Sequence, residues 1–344
     1  EALIHNSQSK SGGPTTDLNP LELGWQFWEN GRLVEFCSST STNSKCRMEY
    51  ELSGIIPIEI GNLTELRKIS LESNNMNGKI PSTISTLKNL EELKLSSNKL
   101  SGRLPKEIGE LVSLKVLALN SNSFSGPLPK EFEKLKKMTW VYLASNYFTG
   151  NIPPFFSLMS DLTYLNFSNN NFDGEIPSEF GELSDLQYLN MSQNKLTGQI
   201  PSEIGKLKVY RLNLEFNELS GPIPEALGDL SEVVQIDLES NNLVGEIPSS
   251  LGNLGRIKIL DLHNNKLTGP LPSSLFNSVS LEELNLSSNQ LSGIIPNEII
   301  NLKNLKYLNF SFNSFEGEIP INLFDNYNIK VLYLNSNSFS GFLS

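Results

Sequence analysis

Hydrophobic positions along the chain recur in one order with a period of 24 residues, which shortens once to 23. Each unit reads L-x-x-L-x-L-x-x-N-x-L-x-G-x-x-P, with leucine-like residues at the L positions, as in residues 281–296. The units open at Leu66, Leu90, Leu114, Met138, Leu162, Leu186, Val209, Val233, Ile257, Leu281, Leu305 and Ile329. Asn and Gly keep their places in all twelve units, and Pro in the eleven that reach it, so the chain is an array of repeats.

The pattern within one unit predicts its local structure. L-x-x-L-x-L predicts a short strand with alternate side chains buried. The Asn is expected to turn inward and bond the backbone of the neighbouring turn, because a buried amide must be satisfied. Gly suits a sharp turn, and Pro stands where a short helix would begin. Stacked units share one core, which predicts an α/β solenoid with a parallel sheet on its concave face and short helices on its convex face.

This repeat resembles the plant-specific class of leucine-rich repeat, and the resemblance covers about residues 52–344. That class occurs in the ectodomains of receptor-like kinases, in receptor-like proteins and in polygalacturonase inhibitors. The resemblance implies about 12 to 13 units of 24 residues, the last one incomplete, wound into a right-handed superhelix. It also implies a second short strand at L-x-G-x-I-P in each unit.

The two ends of the chain differ from the repeats. Residues 1–17 are predicted to form a flexible tail, and residues 18–51 a cap over the first repeat. Cys37 and Cys46 flank a polar, turn-like segment, which favours a disulfide in an oxidising compartment, with two free thiols as the alternative. The family's C-terminal cysteine cap is absent and the chain stops within a unit at Ser344, so we expect the native protein to continue or to have that end covered.

Composition narrows the class of partner. The chain has 344 residues and a formal net charge of -11, which argues against nucleic acid or an anionic membrane as the main partner. Basic proteins, basic peptides and neutral sugars remain compatible with this charge. No apolar run reaches the roughly 18 residues that span a bilayer, and no signal peptide is visible after Glu1, which is compatible with its removal.

The strand positions between the buried leucines are expected to face solvent and to align into rows across stacked units. The rows place an aromatic patch over the units that open at residues 138–209, formed by Trp140, Tyr142, Tyr164, Tyr188 and Phe216. Exposed aromatic side chains on a rigid sheet are typical binding anchors. The alternative is that aromatic residues favour strands and cover their neighbours.

The same rows carry charged residues beside the aromatic patch. These are Arg211, Glu215, Asp237, Glu239, Asp261 and His263. Glu215, Asp237, Glu239 and Asp261 form an acidic patch. Like charges on adjacent strands repel and raise a pKa, so this patch suits a basic ligand or Ca²⁺, and the alternative is that the carboxylates stay solvated. We expect the ligand contacts to lie between Trp140 and His263.

Catalysis is not predicted. Paired carboxylates can do acid–base work, and His263 beside Asp261 permits a triad, but an open sheet does not exclude water. The sequence has no glycine-rich phosphate loop and no His or Cys set with metal-ligand spacing. We therefore predict a protein that is not an enzyme and has no cofactor and no bound metal.

The chain contains glycosylation sequons at Asn62, Asn166, Asn190, Asn285 and Asn309. Four lie on the strand row, where the repeat consensus itself generates them. If they carry glycans, two windows of that row stay open, from Ser70 to Tyr142 and from Asn213 to Asp261.

The favoured function is an extracellular recognition module that resembles a receptor ectodomain, either secreted or the outer part of a membrane receptor. It would bind a protein, peptide or glycan ligand on its concave or lateral face, with a co-receptor as a possible further partner. A secreted inhibitor of a cell-wall hydrolase is the first alternative. An ice-binding solenoid is the second, although ice binding needs a regular array of small groups and this row is mixed in charge and size.

Overall fold

The chain divides into two compact units, and each is described by itself. The computed structural model describes residues 25–39, 46 and 52–341. The first unit ends at Phe172 and the second begins at Asp173. The tail predicted for residues 1–17 and much of the cap predicted for residues 18–51 lie outside the described residues.

Short strands of the first unit alternate between two sheets, which are parallel except for the pairing of the first two strands. In chain order the strands are β1 (Trp25–Glu29), β2 (Arg32–Cys37), β3 (Ser53–Ile55), β4 (Lys68–Ser70), β5 (Asn75–Gly78), β6 (Glu92–Lys94), β7 (Lys99–Gly102), β8 (Val116–Ala118), β9 (Ser123–Gly126), β10 (Trp140–Tyr142), β11 (Tyr147–Asn151), β12 (Tyr164–Asn166) and β13 (Asn171–Gly174), the last of which crosses the boundary. The larger sheet has the order β1-β2-β4-β6-β8-β10-β12 and the smaller sheet contains β3-β5-β7-β9-β11. These are the sheets predicted at L-x-x-L-x-L and at L-x-G-x-I-P, and the side that carries the larger one is called the sheet face.

The second unit repeats this arrangement. Its strands are β14 (Tyr188–Asn190), β15 (Lys195–Leu196), β16 (Arg211–Asn213), β17 (Ser220–Pro222), β18 (Gln235–Asp237), β19 (Asn242–Gly245), β20 (Ile259–Asp261), β21 (Lys266–Gly269), β22 (Glu283–Asn285), β23 (Gln290–Gly293), β24 (Tyr307–Asn309), β25 (Ser314–Glu318), β26 (Val331–Tyr333) and β27 (Ser338–Ser340). The even-numbered strands from β14 to β26 follow one another in the larger sheet, on the sheet face of this unit. The odd-numbered strands from β17 to β27 form a smaller sheet. The three-residue strands of the sheet face from β4 to β24 therefore present two outward positions with one buried position between them.

The predicted short helices are 3-10 turns of five residues. They are Ile58–Asn62, Ser82–Thr86, Lys106–Glu110, Lys130–Lys134 and Pro154–Leu158 in the first unit, and Ser178–Glu182, Ser202–Lys206, Glu225–Asp229, Ser249–Asn253, Ser273–Asn277, Asn297–Asn301 and Ile321–Asp325 in the second. The repeated proline lies one residue earlier than predicted, at the cap position. Pro105, for example, precedes its turn, and its carbonyl accepts the N–H of Ile108 at 3.0 Å, so its own missing N–H costs nothing.

The repeated Asn forms the predicted ladder. In the first unit, Asn122 accepts the N–H of Leu100 at 2.9 Å and donates to the carbonyl of Leu95 at 2.9 Å. In the second unit, Asn241 accepts the N–H of Leu219 at 3.0 Å and donates to the carbonyl of Leu214 at 3.0 Å. Each amide thus joins its own turn to the preceding unit, and this fixes the register in which the strands of the sheet face stack.

The described part of the predicted cap is an antiparallel hairpin that extends the sheet. β1 pairs with β2, and β2 continues in parallel register with β4, where Phe36 opposes Ile69. Cys37 and Cys46 form the predicted disulfide. The hairpin therefore covers the edge of β4, which would otherwise present unpaired backbone groups.

Candidate functional site

The sheet face of the first unit brings three of the predicted aromatic residues together. Parallel register places Trp140 opposite Tyr164 and Tyr142 opposite Asn166. The ring centroids of Trp140 and Tyr164 lie 4.6 Å apart, and Tyr142 meets Tyr164 edge-on at 5.8 Å. Trp140 stays 44% exposed, so its ring is held by a neighbour while much of its surface faces solvent.

A cavity of about 540 Å³ opens beside these rings. The cavity is also lined by Ser39, Glu72, Ser73, Ser96, Ser97 and Asn120. We call the part between β6 and β10 the aromatic slot and define it by Trp140 and Tyr142 on one wall, Val116 and Ala118 on the floor, and Glu92 and Lys94 on the other wall. The register explains the cavity, because Val116 and Ala118 on β8 oppose Trp140 and Tyr142 on β10 and oppose Glu92 and Lys94 on β6. Two small side chains thus stand between two pairs of large ones.

The second wall of the slot is an ion-paired group. Lys94 Nζ lies 2.6 Å from Glu92 Oε2, and Lys68 Nζ lies 3.5 Å from both Glu92 and Glu35. Burial alone would raise the pKa of Glu92, but the Lys94 and Lys68 ammonium groups outweigh it and hold that pKa below its usual value. The carboxylate is therefore ionised and already matched by cations.

The slot residues other than Trp140 and Tyr142 were not predicted as site residues. Glu92, Lys94 and Ala118 stand at the same outward positions as the predicted residues, and the repeat alignment assigns them there. The signal that could have identified the slot is the drop in side-chain size at Val116 and Ala118 between larger neighbours along the row.

Tyr188 and Phe216 of the predicted aromatic patch belong to the second unit. Tyr188 packs against Tyr210 with ring centroids 6.1 Å apart. Phe216 is 47% exposed and has a left-handed backbone, with φ of 50°, at a position that most units fill with Ser, Asn or Gln. A bulky residue in this conformation costs about 1–3 kcal/mol, so Phe216 is both exposed and strained, and sequence analysis did not reveal the strain.

The predicted acidic residues converge on the sheet face of the second unit. We call Glu215, Asp237, Glu239, Asp261 and His263 the acidic cluster. Asp237 on β18 opposes Asp261 on β20 and Asn213 on β16. Two hydrogen bonds connect Arg211 to Asp237 through Gln235. Arg211 Nε donates to Gln235 Oε1 at 2.9 Å, and Gln235 Nε2 donates to Asp237 Oδ2 at 2.8 Å. Sequence analysis did not identify Gln235 as the link between Arg211 and Asp237.

Asp237 is the most constrained member of the acidic cluster. Only 6% of its surface is exposed. Burial raises its pKa to about 6, and the charges of Glu215 and Asp261 add to this rise against the opposing hydrogen bond from Gln235. Burial and the charges of Glu239 and Asp261 likewise raise the pKa of Glu215. A cation that approached these carboxylates would restore their ordinary acidity.

His263 lies between two carboxylates of the acidic cluster. Its Nδ1 is 2.7 Å from Asp261 Oδ1 and 3.0 Å from Glu239 Oε2. Hydrogen bonds to Asp261 and Glu239 raise the pKa of His263 to about 10, so the imidazole is a cation at neutral pH. Ligand atoms of Glu239, Asp261 and His263 lie within 4.8 Å of one another and could hold a metal ion, which would have to displace the proton that the hydrogen bonds to Asp261 and Glu239 favour on His263.

The sequons differ in the accessibility of the amide nitrogen. Asn166 is only 4% exposed and its Oδ1 accepts the N–H of Ser168. The Nδ2 atoms of Asn190 and Asn309 donate to neighbouring tyrosine hydroxyls at 3.2 Å, and that of Asn285 donates to Asp261 Oδ2 at 3.1 Å. Asn62 is exposed at the end of its 3-10 turn.

A further cavity of about 840 Å³ lies in the second unit, lined by several prolines and glutamates. Pro177, Pro201 and Pro224 come from the turns between strand and 3-10 segment. None of the predicted binding residues lines this cavity. Among the described residues, no helix has the length and apolar character needed to cross a membrane.

Several solved structures are similar to this chain. A plant peptide hormone receptor, RGFR1 in complex with RGF2, is 33% identical, with a TM-score of 0.80 over 90% of this chain and 50% of that one. PEPR1 bound to AtPEP1 is 30% identical, with a TM-score of 0.85 over 100% of this chain and 52% of that one. A plant ice-binding protein is 28% identical, with a TM-score of 0.60 over 80% of this chain and 81% of that one. The chain thus spans about half the length of the two receptors.

Sequence profiles of known families match most of the repeat region. The leucine rich repeat profiles match residues 64–124, 136–196 and 255–315 and residues 208–230 and 232–254. A search of curated protein sequences finds no match. The matched segments cover more than half of the chain and coincide with the strands and 3-10 turns described above. The chain therefore belongs to the leucine-rich repeat family and carries repeats of the plant type.

Proposed function

We propose that the chain is an extracellular recognition module, similar to a receptor ectodomain, that binds a basic peptide or a basic protein segment on the sheet face of its second unit. The acidic cluster carries this proposal. It holds a nearly buried carboxylate, Asp237, whose pKa is raised to about 6 by burial and by like charges. The similarity to two receptors with peptides in their complexes supports a peptide as the ligand.

The electrostatics of the cluster favour a cationic ligand. Four carboxylates, those of Glu215, Asp237, Glu239 and Asp261, face the cations Arg211 and His263. His263 is engaged by Asp261 and Glu239, whereas Arg211 reaches Asp237 through Gln235. Glu215 and Asp237 therefore carry the unbalanced charge. A Lys or Arg side chain of a ligand would pair with the half-buried Glu215 and offset the charge of Asp237 beside it.

The same geometry supports binding rather than catalysis. A general base at neutral pH needs a pKa near that pH. The pKa of His263 is raised to about 10 by hydrogen bonds to Asp261 and Glu239, so its Nδ1 holds a proton and cannot accept another. Asp237 has a pKa near neutral pH, raised to about 6, but both of its carboxylate oxygens accept hydrogen bonds from Gln235 Nε2 and its side chain is nearly buried. We accordingly propose no enzymatic activity for the cluster.

The two alternative functions are less well supported. Ice binding has one observation in its favour, the similarity to a plant ice-binding protein. The sheet face, however, presents Trp140 and Phe216 at 44% and 47% exposure beside ionised groups, and not a regular array of small groups. Secretion and binding of a co-receptor remain parts of the proposal, and no surface is assigned to the co-receptor. No described site specifically supports inhibition of a cell-wall hydrolase.

A selection experiment tests the proposal directly. Displayed random peptides of about 12 residues, long enough to cross several strands, are selected on the purified chain. The winners are then measured against Glu215→Gln/Asp237→Asn, which removes two charges from the cluster. We expect selected peptides to be rich in Lys and Arg and to bind this variant about tenfold or more weakly.

A matched control separates the cluster from net charge. Glu179→Gln/Asp229→Asn removes the same two charges from exposed positions on 3-10 turns. This variant should bind the selected peptides as the unmodified chain does. Selection of neutral or acidic peptides, or equal losses of peptide affinity in both variants, would show that the cluster does not bind a basic ligand.

A further inference from the structure

The aromatic slot of the first unit has the width of one flat ring. Its walls stand on β6 and β10, which are separated by β8 alone. Two strand spacings are about 9.6 Å, and a ring in van der Waals contact with both walls needs about 7–8 Å. The opening exists because Val116 and Ala118 are short, since the backbone pairing continues through β8 on both sides.

The first wall is organised before any ligand arrives. Trp140 is held by the tilted contact with Tyr164 at 4.6 Å, and Tyr142 meets the same Tyr164 edge-on. A ring that enters the slot therefore finds an aromatic partner whose rotamer is already restricted. Restriction before binding lowers the entropy cost of association.

The second wall argues against a charged occupant. Glu92 is paired with both Lys94 and Lys68, and Lys68 also pairs with Glu35. A charged ligand group at this wall would have to displace one of these partners and would gain little, because each exchange replaces one ion pair by another. Glu72, the other carboxylate of the cavity, accepts a hydrogen bond from Ser70 Oγ at 3.2 Å. An uncharged ring leaves the pairs intact and can lie close to the Lys94 ammonium group, which attracts an aromatic face.

The floor separates an aromatic ring from a sugar ring. Val116 and Ala118 offer only apolar surface directly under the occupant, where the hydroxyl groups of a sugar would find partners only at the rim, among Ser39, Ser73, Ser96, Ser97 and Asn120. The polar groups of the rim are partly used, since Ser96 Oγ donates to Asn120 Oδ1. An aromatic side chain buries its whole edge against this floor at no such cost.

We propose that the aromatic slot is a binding site for one aromatic side chain, Phe, Tyr or Trp, of a peptide. This inference rests on the proposed function, because it assumes that the ligand is a peptide. The first unit would then hold a recognition element that differs in chemistry from the acidic cluster. The short side chains of Ala118 and Val116 would determine the size of the group that enters the slot.

The test uses small probes on the whole chain. N-acetyl-tryptophanamide and N-acetyl-tyrosinamide are titrated by ligand-observed NMR, with N-acetyl-argininamide and methyl β-glucopyranoside as competing chemistries. We expect the aromatic amides to bind with Kd of about 1–10 mM. The arginine and sugar probes should show no saturation up to about 20 mM.

Two variants connect the binding to the slot. Ala118→Tyr fills the opening with a residue that the same row already carries at Tyr142 and Tyr333, and Trp140→Ala removes the wall without touching the core. Each should weaken the aromatic probes about tenfold or more. Asn309→Tyr places the same side chain in the same row of the second unit and should leave probe binding unchanged. Thermal unfolding tests whether each variant is folded. If Ala118→Tyr does not fold, the loss of probe binding in Trp140→Ala tests the proposal by itself.

Three results would overturn the inference. The first is binding of the sugar or arginine probe in preference to the aromatic amides with the same sensitivity to Ala118→Tyr. The second is the absence of any aromatic binding. The third is a set of selected peptides that lack aromatic residues and bind Ala118→Tyr normally, which would leave the proposed function standing. Failure to select any peptide would instead remove the proposed function.

Discussion

The aromatic slot and the acidic cluster occupy the same two outward positions of the repeat, yet they are opposite in energetic character. In the slot, Trp140 rests on Tyr164 and Glu92 is matched by two lysines, so the side chains satisfy one another. In the cluster, Asp237 is 6% exposed and its pKa is raised to about 6 by burial and by neighbouring carboxylates.

This difference shows how one scaffold can hold two kinds of binding surface. The Asn ladder and the parallel register set the backbone independently of the outward side chains. The outward side chains are therefore free to store unfavourable charge in one place and to leave a gap in another. Unfavourable interactions of this kind persist where the surrounding structure holds the residues in place, and they are common at functional sites.

The largest expected effect that separates the two surfaces is that of salt. Raising NaCl from about 50 mM to about 500 mM shortens the Debye length severalfold, so a basic peptide selected on the chain should lose about tenfold or more in affinity. The aromatic probes at the slot should bind equally well or slightly better at high salt, because apolar contact is not screened. Isothermal titration at both salt concentrations measures how the affinity of the peptide and that of the aromatic probes change with salt. Equal changes in the two affinities would contradict the comparison.

The next effect is that of pH on the acidic cluster. The pKa of Asp237 is raised to about 6, so the carboxylate is ionised at about pH 8 and mostly protonated at about pH 5. If the ionised form pairs with the ligand, affinity for a selected basic peptide should fall about tenfold between these values. Asp237→Asn should bind weakly and with a much flatter pH profile. Aromatic probes at the slot provide the control, since they should show no change over this range.

A smaller effect concerns stability, and its sign should differ between the two surfaces. The pKa of Asp237 in the folded state is raised to about 6, above the value of about 4 that an aspartate has in the unfolded chain. Ionisation therefore destabilises the fold increasingly from about pH 4 to pH 6 and fully above. Asp237→Asn should therefore raise the free energy of unfolding by about 1 kcal/mol at about pH 8 and by little at about pH 4. Trp140→Ala should lower it by about 0.5–1.5 kcal/mol at both values, because it loses a ring contact. Urea unfolding measures each difference.

The smallest effect is expected from glycosylation. Asn62 is exposed, whereas Asn166 is 4% exposed and the amide of Asn285 is engaged by Asp261. Expression in a eukaryotic secretory pathway should therefore give high occupancy at Asn62 and none at Asn166, as measured by peptide mass spectrometry. Asn62→Gln should leave binding at both surfaces unchanged. Full occupancy at Asn166 would mean that the sheet face is covered where we place the wall of the slot.

Much of the fold could be predicted because every unit repeats the same short-range instructions. Alternating leucines identified the strands of the sheet face, and the repeated Asn identified the ladder, since a buried amide has few other ways to be satisfied. The helical segments were predicted less well. They are 3-10 turns that begin after the proline and not at it, because the proline carbonyl, as in Pro105, accepts the first bond of the turn.

The candidate site could be predicted only in outline. The rows identified Trp140, Tyr142 and the acidic residues, since outward positions follow from the repeat. The link through Gln235, the cationic state of His263 and the gap at Ala118 depend on distances between side chains of neighbouring units. Those distances require the register, and in this chain the register is set by contacts about one repeat apart, as between Asn122 and Leu100.

The sequence by itself determined the repeat, the pairing order of the strands and the identity of each outward side chain. These follow from period and composition, because a unit that cannot bury its apolar side alone must stack on its neighbours. Only the tertiary structure decided which outward residues are relaxed and which are strained. Burial and the approach of like charges set the pKa of Asp237, and the size of three adjacent pairs of side chains sets the slot, so both properties belong to the stacked units and to no unit alone.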